Sequence, residues 1–410
     1  MGIYFLLIRI AAFFGHRKAR LMVEGQKAIF SRSMEDLRGC IWIHASSVGE
    51  FEQARPLIER LKVKGERRKI VVTFFSPSGY EVRKNYDKAD AVMYLPFATR
   101  RNAKKFLDEL QPKLAIFVKY EFWPAYLREL KKREIPTYSI SAIFREKQLF
   151  FRPLGKGYLK LLHCFTHIFV QDENSLQLLQ RHGVNHCSVA GDTRFDRVKR
   201  VMEEGLRVTG DKLVPVAEFT EGCEHVIIAG SSWPQDEALL VRYQAEHPET
   251  KLILVPHEIH EEHMHYIFNL LQGRFVKYTA VSRQPSEERR RSVMQHADVM
   301  VIDTIGLLSS IYRFGQVAYI GGGFGVGIHN TIEAAVYGIP VIFGPNYLNF
   351  REAKGLIAVG AARSIKDYKE LEAALDKALE EHETIGIKAA EYVQSELGAT
   401  AKIYDKIFVN

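Results

Sequence analysis

The residues with the most chemical content form one run, Gly321-Gly-Gly-Phe-Gly-Val-Gly-Ile-His-Asn-Thr-Ile-Glu333, closed by Gly338-Ile-Pro-Val-Ile-Phe-Gly-Pro345. An apolar strand, 317–320, leads into glycines that let a ligand approach the backbone closely. Asn330 and Thr331 can cap the helix that follows, whose N-terminal amides then face the same ligand. Glu333, one turn in, can accept hydrogen bonds from a vicinal diol such as a ribose. Phosphate on amides and sugar on a carboxylate make a nucleotide site. The plainer alternative is a Gly-rich strand–helix turn with a solvated Glu.

Two acids stand at comparable turns in the first half. In His44-Ala-Ser-Ser-Val-Gly-Glu50-Phe-Glu-Gln53, residues Ser46, Ser47 and Gly49 form a small turn. Glu50 sits at the mouth of the next helix, either as a general base raised by burial or as a helix N-terminal acid. No Gly-Lys-Ser/Thr follows, so this is not a P-loop. In Lys119-Tyr-Glu121-Phe-Trp-Pro124, Pro124 suits a first helical turn and leaves Glu121 and Trp123 in the turn before it. Trp123 is then a stacking surface for a sugar or a core plug. Thr73-Phe-Phe-Ser-Pro-Ser-Gly79 offers hydroxyls, Ser76 and Ser78, and amides to an anionic group, and Arg145 adds a cation nearby.

The second half repeats this logic in Gly230-Ser231-Ser232-Trp233-Pro234. The His-rich run 255–263 is not HExxH, because position 261 is Glu, and no metal is expected there. His257, just beyond Pro256, reads as a phosphate or base contact at a strand end. No GxGxxG follows the first strand of either half, which argues against a nicotinamide cofactor.

The elements that must hold these turns follow from alternating apolar runs and helix-patterned segments. Expected strands in the first half are 41–44, 70–73, 92–95, 114–118, 137–140 and 168–170, with helices at 51–62, 101–110, 124–132 and 174–182. A second series of strands runs through 226–229, 252–255, 299–302, 317–320 and 341–343. Short buried strands separated by helices predict an α/β chain with two doubly wound, Rossmann-like parallel sheets facing a cleft. The expected domains are 21–195, a linker at 196–222, and 223–410, with the last helix able to cross back to the first domain. In such sheets ligands sit beyond the carboxyl ends of the strands, where the turns above lie.

Composition narrows the partners. The chain has 410 residues, of which 47% are hydrophobic and 26% charged, so it folds as a globular protein of two or three domains. Its net charge of +8 favours anionic partners, but dispersed basic residues without a recognition motif argue against nucleic acid. Cys40, Cys164, Cys187 and Cys223 form no CxxC pair and read as reduced thiols of a cytosol-facing protein. Residues 3–14 are apolar apart from Arg9, and basic residues follow at 16–20. That run is too short to span a bilayer and has its charge on the wrong side for a secretory signal. An interfacial anchor helix over 1–20, drawn to an anionic membrane surface, fits; a greasy first helix packed on the body is the alternative.

Taken together, these turns resemble the bacterial 3-deoxy-D-manno-oct-2-ulosonic acid (Kdo) transferases, two-domain glycosyltransferases of the GT-B type. The resemblance rests on His44 to Glu50, Glu121 to Pro124, Gly230 to Trp233, Asp303-Thr-Ile-Gly306, the glycine run through Glu333, and Gly344-Pro-Asn-Tyr-Leu-Asn-Phe350. These occur in consistent order from about residue 20 to about 400. The resemblance implies transfer of Kdo from CMP-Kdo to the lipid A precursor, with inversion at the anomeric carbon. It implies work at the cytoplasmic face of the inner membrane as a peripheral or monotopic protein. A monophosphate leaving group and the lack of a DxD-like carboxylate pair at a suitable turn predict catalysis without a metal, and no cofactor is expected. Glu50 matches the general base. Ser47, Gly49, Ser76, Ser78, Glu121, Trp123 and Arg145 fall on the acceptor side. Gly230, Ser231, Ser232, Pro256, His257, Gly322, Gly323, His329, Asn330 and Glu333 fall on the donor side. His257 stands where many relatives carry Arg. Two other classes share the pattern: a GT-B enzyme or epimerase acting on a UDP-sugar, and a non-catalytic membrane-associated nucleotide-binding protein.

Overall fold

In the computed structural model, which describes residues 2–31, 33–152, 155–207, 210–325 and 327–409, the chain forms two compact units. Residues 1–197 and 396–410 make the first, and residues 198–395 the second.

The first unit is built on β1 (Ile41–His44), β2 (Ile70–Phe74), β3 (Ala91–Tyr94), β4 (Leu114–Val118), β5 (Thr137–Ala142), β6 (His167–Val170) and β7 (Cys187–Val189). They pair in parallel in the order β3-β2-β1-β4-β5-β6-β7. Strands β1, β2 and β4 are buried along their whole length, as expected of strands covered on both faces. One side of the sheet packs Trp42, Phe106, Phe117 and Tyr126. The other packs Phe51, Leu57, Ile58 and Phe74 with Ile403 from the helix Ala399–Phe408.

The second unit contains β8 (His225–Ser232), β9 (Thr250–Pro256), β10 (Phe275–Lys277), β11 (Val299–Val301), β12 (Val317–Ile320), β13 (Val341–Phe343) and β14 (Ala362–Ser364). Its order is β10-β11-β9-β8-β12-β13-β14, again parallel. Both sheets are therefore doubly wound, as the strand pattern implies. In each, the first strand borders a strand reached by a long crossover, β1 beside β4 and β8 beside β12. Ligands of such sheets bind at that switch point, beyond the strands' carboxyl ends.

The stretch 196–222, expected as a linker, is mostly helical: Thr193–Arg207 runs through its start and Val214–Thr220 lies near its end. The helix Gly2–Phe13 packs Phe5 and Ile8 into the first unit, with the Phe5 ring stacked on Phe97 at 4.6 Å. Its other side leaves Leu7, Ile10 and Phe13 exposed, and Phe14 just beyond it is exposed too. Among the described residues no helix is long and apolar enough to cross a membrane.

Candidate active site

At the first switch point, β1 ends in His44 and the helix Val48–Val63 starts after a four-residue turn. Ser47 caps that helix, its hydroxyl accepting from the Glu50 amide at 3.4 Å. The Glu50 carboxylate turns back and accepts from the Ser46 amide at 2.6 Å. Beside β1, β4 ends at Val118, and Lys119 takes a left-handed φ of 55° that swings Glu121 and Trp123 over the sheet edge. A non-glycine residue in that region is strained, and such strain gathers at functional sites.

Glu121 accepts from Ser46 Oγ and from Trp123 Nε1 at 2.5 Å, and lies 3.2 Å from His44 Nε2, which itself accepts from Trp123 Nε1 at 3.0 Å. The fully buried His44 has Nδ1 3.1 Å from the Thr73 carbonyl oxygen, which only accepts, so Nδ1 carries a hydrogen. These donors outweigh burial and hold Glu121 below the usual carboxylate range. Burial, and then the adjacent Glu121, push the Glu50 carboxyl up to about 7. Two neighbouring carboxyls are thus driven apart: Glu121 keeps its charge and Glu50 is poised to exchange a proton near neutrality.

The other first-half residues gather here. The Ser76 amide donates to the Ser46 carbonyl at 2.9 Å, and the Ser76 and Ser78 hydroxyls lie 2.7 Å apart. Trp123 packs on Phe75 at 4.7 Å. Arg145 and Glu50 both act electrostatically on the Tyr120 hydroxyl. A Cβ on Gly49 would meet nothing within 4 Å, so packing does not demand glycine there. His44 and Ser46 belong to the constellation by geometry, and no spacing rule singles them out.

The helix bearing Glu50 is anchored from below. Gln53 Nε2 donates to Asp192 Oδ1 at 2.9 Å, Thr193 Oγ1 donates to the Gln53 carbonyl at 2.6 Å, and Arg194 grips Asp192 Oδ2 at 2.7 Å. Asp192 is buried; burial works to raise its pKa, but the Arg194 charge and these donors outweigh it and hold the carboxyl at about 2. A pKa depressed on folding adds stability that is present above about pH 4 and lost as pH falls toward 2. Asp192→Asn is expected to cost about 2 kcal/mol at pH 7 and to flatten the acid limb between pH 4 and 2. Thermal unfolding against pH checks both, and an unchanged acid limb would remove Asp192 from this role.

In the second unit, β8 shifts register between Gly230 and Ser232, with Ser231 at φ 54°. A Cβ on Gly321 would stand 2.2 Å from the Ser231 carbonyl oxygen, and one on Gly323 2.6 Å from Gly344 Cα. Glycines at 321 and 323 are therefore required by backbone packed on backbone, before any ligand is considered. The Gly322 amide donates to Asp236 Oδ2 at 2.9 Å; the same oxygen accepts from the Trp233 amide at 3.0 Å, and Oδ1 accepts from Tyr319 Oη at 2.8 Å.

Trp233, His257 and His329 stack, with His257 and His329 at 4.1 Å and Trp233 and His257 at 5.1 Å. Trp233 Nε1 donates to His329 Nε2 at 3.0 Å. Burial, then the neighbouring His257, lower His329 to about 4, and burial lowers His257. His329, which accepts from Trp233, is neutral at pH 7. Arg313 donates to the Ser310 carbonyl at 3.2 Å and to the Gly205 carbonyl. The His257 amide donates to the Ser232 carbonyl at 3.0 Å, so the end of β9, with Pro256, is tied to the end of β8. Asn330 Oδ1 accepts from the Ile332 amide at 3.1 Å, and Asn330 Nδ2 donates to Glu333 Oε1 at 2.8 Å, so one side chain holds the first amide of the short helix Ile332–Ala335 and orients the carboxylate. Thr331, at the cap position, makes no capping hydrogen bond. A pocket of about 340 Å³ opens beside Trp233, Asp236, Gly322 and Phe324. Among the described residues no three His, Cys, Asp or Glu side chains group as metal ligands.

Two parallel doubly wound domains, with an acid site at one switch point and a glycine loop at the other, make up a GT-B fold. Solved structures agree on the fold. UDP-GlcNAc 2-epimerase from Neisseria meningitidis superposes with a TM-score of 0.65 at 16% identity, over 90% of this chain and all of the other. The same enzyme from Methanocaldococcus jannaschii gives 0.57 at 14%, over 87% of this chain and 98% of the other. Sequence comparison carries the family. The family described as 3-Deoxy-D-manno-octulosonic-acid transferase (kdotransferase) matches residues 16–197. The 3-deoxy-D-manno-octulosonic acid transferase of Rickettsia bellii is 26% identical over 90% of this chain and 86% of its own length. That of Aquifex aeolicus is 27% identical over 85% and 88%, and that of Haemophilus influenzae 27% over 89% and 86%. The likeness to the Kdo transferases thus covers residues 16–197 in the family model and 85–90% of this chain in these three relatives.

Proposed function

We propose that the chain transfers Kdo from CMP-Kdo to a hydroxyl of the lipid A precursor in lipopolysaccharide biosynthesis, inverting the anomeric carbon. The acceptor oxygen forms its bond to that carbon as the bond to the phosphate oxygen breaks. The acceptor proton goes to Glu50, and CMP leaves with the bonding electron pair. The observation that carries this reading is the Glu50–Glu121 pair, in which a buried carboxyl at about 7 sits beside one held ionised. A base of that strength matches neutral pH.

On the donor side, the neutral His329 supplies no charge to the leaving phosphate. Backbone dipoles of the glycine loop and of the Asn330–Glu333 turn take that load, and Glu333 receives the ribose. The proposed chemistry uses no metal and no cofactor. Incubation with CMP-Kdo, generated in situ, and a tetra-acylated lipid A precursor should add Kdo mass to the lipid. An unchanged lipid, or protection by UDP and not by CMP, would overturn this donor assignment.

The reading also brings the first unit to an anionic membrane. The helix Gly2–Phe13 is docked through Phe5 and Ile8, and Phe13 and Phe14 are 85% and 80% exposed. Replacing both with Ser is expected to lower the fraction that floats with anionic vesicles while leaving the fold intact. Undiminished flotation would show that this helix is not the anchor.

A further inference from the structure

The second unit holds a buried acid–imidazole pair that the proposed chemistry leaves unused. Glu237, on the helix Pro234–Glu246, and Ser232 are fully buried, and His263, on the helix Glu261–Leu270, is 7% exposed. Ser232 Oγ donates to Glu237 Oε1 at 2.8 Å. Glu237 Oε2 lies 2.9 Å from His263 Nε2, and His263 Nδ1 lies 2.8 Å from the Glu258 carbonyl oxygen. That carbonyl only accepts, so Nδ1 carries a hydrogen, and a second hydrogen lies between Nε2 and the carboxyl, whichever group holds it.

These contacts close a circuit. Ser232 binds Glu237, Glu237 binds His263, His263 holds the Glu258 carbonyl, and the His257 amide returns to the Ser232 carbonyl at 3.0 Å. His257 follows directly on this circuit, and its ring stacks on both Trp233 and His329, which are hydrogen-bonded to each other. The loop 257–260 carries exposed side chains, His257 among them, so the circuit and the stack are what fix its place.

We infer that Glu237 and His263 are positioning residues for the donor site, pinning the loop after β9 so that His257 completes the stack on which the nucleotide depends. This rests on the donor-site reading above. Charge is not required for the task. A Gln at 237 can accept from Ser232 and donate to neutral His263, whereas a Leu leaves the Ser232 hydroxyl and His263 Nε2 buried without partners.

Three variants test this by calorimetric CMP binding and by steady-state turnover with CMP-Kdo. Glu237→Leu and His263→Phe are expected to weaken CMP binding and raise the donor KM about tenfold or more. The value of kcat at saturating donor should stay within about twofold, the signature of lost ground-state and transition-state binding alike. Glu237→Gln should restore the wild-type KM, which a role resting on the negative charge would not allow. Unchanged CMP affinity in folded His263→Phe would overturn the inference, as would a fall in kcat without a rise in KM. Failure of the wild-type protein to bind CMP would instead sink the donor-site reading.

Discussion

Glu50→Gln is expected to lower turnover by about 10²–10⁴-fold while CMP binding persists, because it removes the proton acceptor and keeps the shape. Near-normal rates in this variant would take Glu50 out of the base role. The same carboxyl sets the pH dependence. Only its ionised form accepts a proton, so kcat should rise as pH climbs through about 7. Burial is the larger cause of the raised pKa and the Glu121 charge the next, so Glu121→Gln should move that limb to lower pH without returning it to the ordinary carboxylate range. A limb that stays in place in Glu121→Gln, measured as kcat against pH, would show that the two acids are not coupled.

The second large effect concerns stability. Asp236→Ala is expected to destabilise the second unit by about 3 kcal/mol or more, since each buried donor left without a partner costs ~1–3 kcal/mol. The Gly322 amide, the Trp233 amide and the Tyr319 hydroxyl would all lose their acceptor. Asp236→Asn should be far milder. Its carbonyl oxygen can serve the two amides, and its amino group can meet Tyr319 Oη, which is able to rotate and accept. Thermal unfolding of the two variants decides the matter, and equal losses would mean that cavity or strain, not hydrogen bonding, sets the cost.

The central strands and the turns after them were legible because burial on both faces writes continuous apolar runs such as Leu114–Val118, and turn chemistry writes Gly, Ser and Pro beside them. The missed strands, Cys187–Val189, Phe275–Lys277 and Ala362–Ser364, are three-residue sheet edges. Lys277 and Arg363 interrupt the apolar signal there. Glu50, Glu121 and Trp123 stood out at strand ends. His44 did not, because a histidine closing a strand looks like any other until Thr73 and Glu121 are seen around it. Asp236 reads as an ordinary acid in a first helical turn, and indeed it caps Trp233. Its bond to Tyr319 joins residues far apart in sequence, which no local pattern encodes.

The helix Ala399–Phe408 belongs to the first unit, where Asp196 caps its start through the Gly398 and Thr400 amides and Arg60 lies over the Tyr404 ring at 4.9 Å. Ile403 shares a core with Phe51 and Ile58 of the helix that carries Glu50. On the ribosome, that helix is made early and its packing partner last, tens of seconds apart at ~5–20 residues per second. The nascent first unit must therefore wait, with an apolar flank uncovered, while the whole second unit is translated. Chain order therefore delays closure of this core until the second unit has been made, and removing the late helix is expected to lower turnover without touching Glu50.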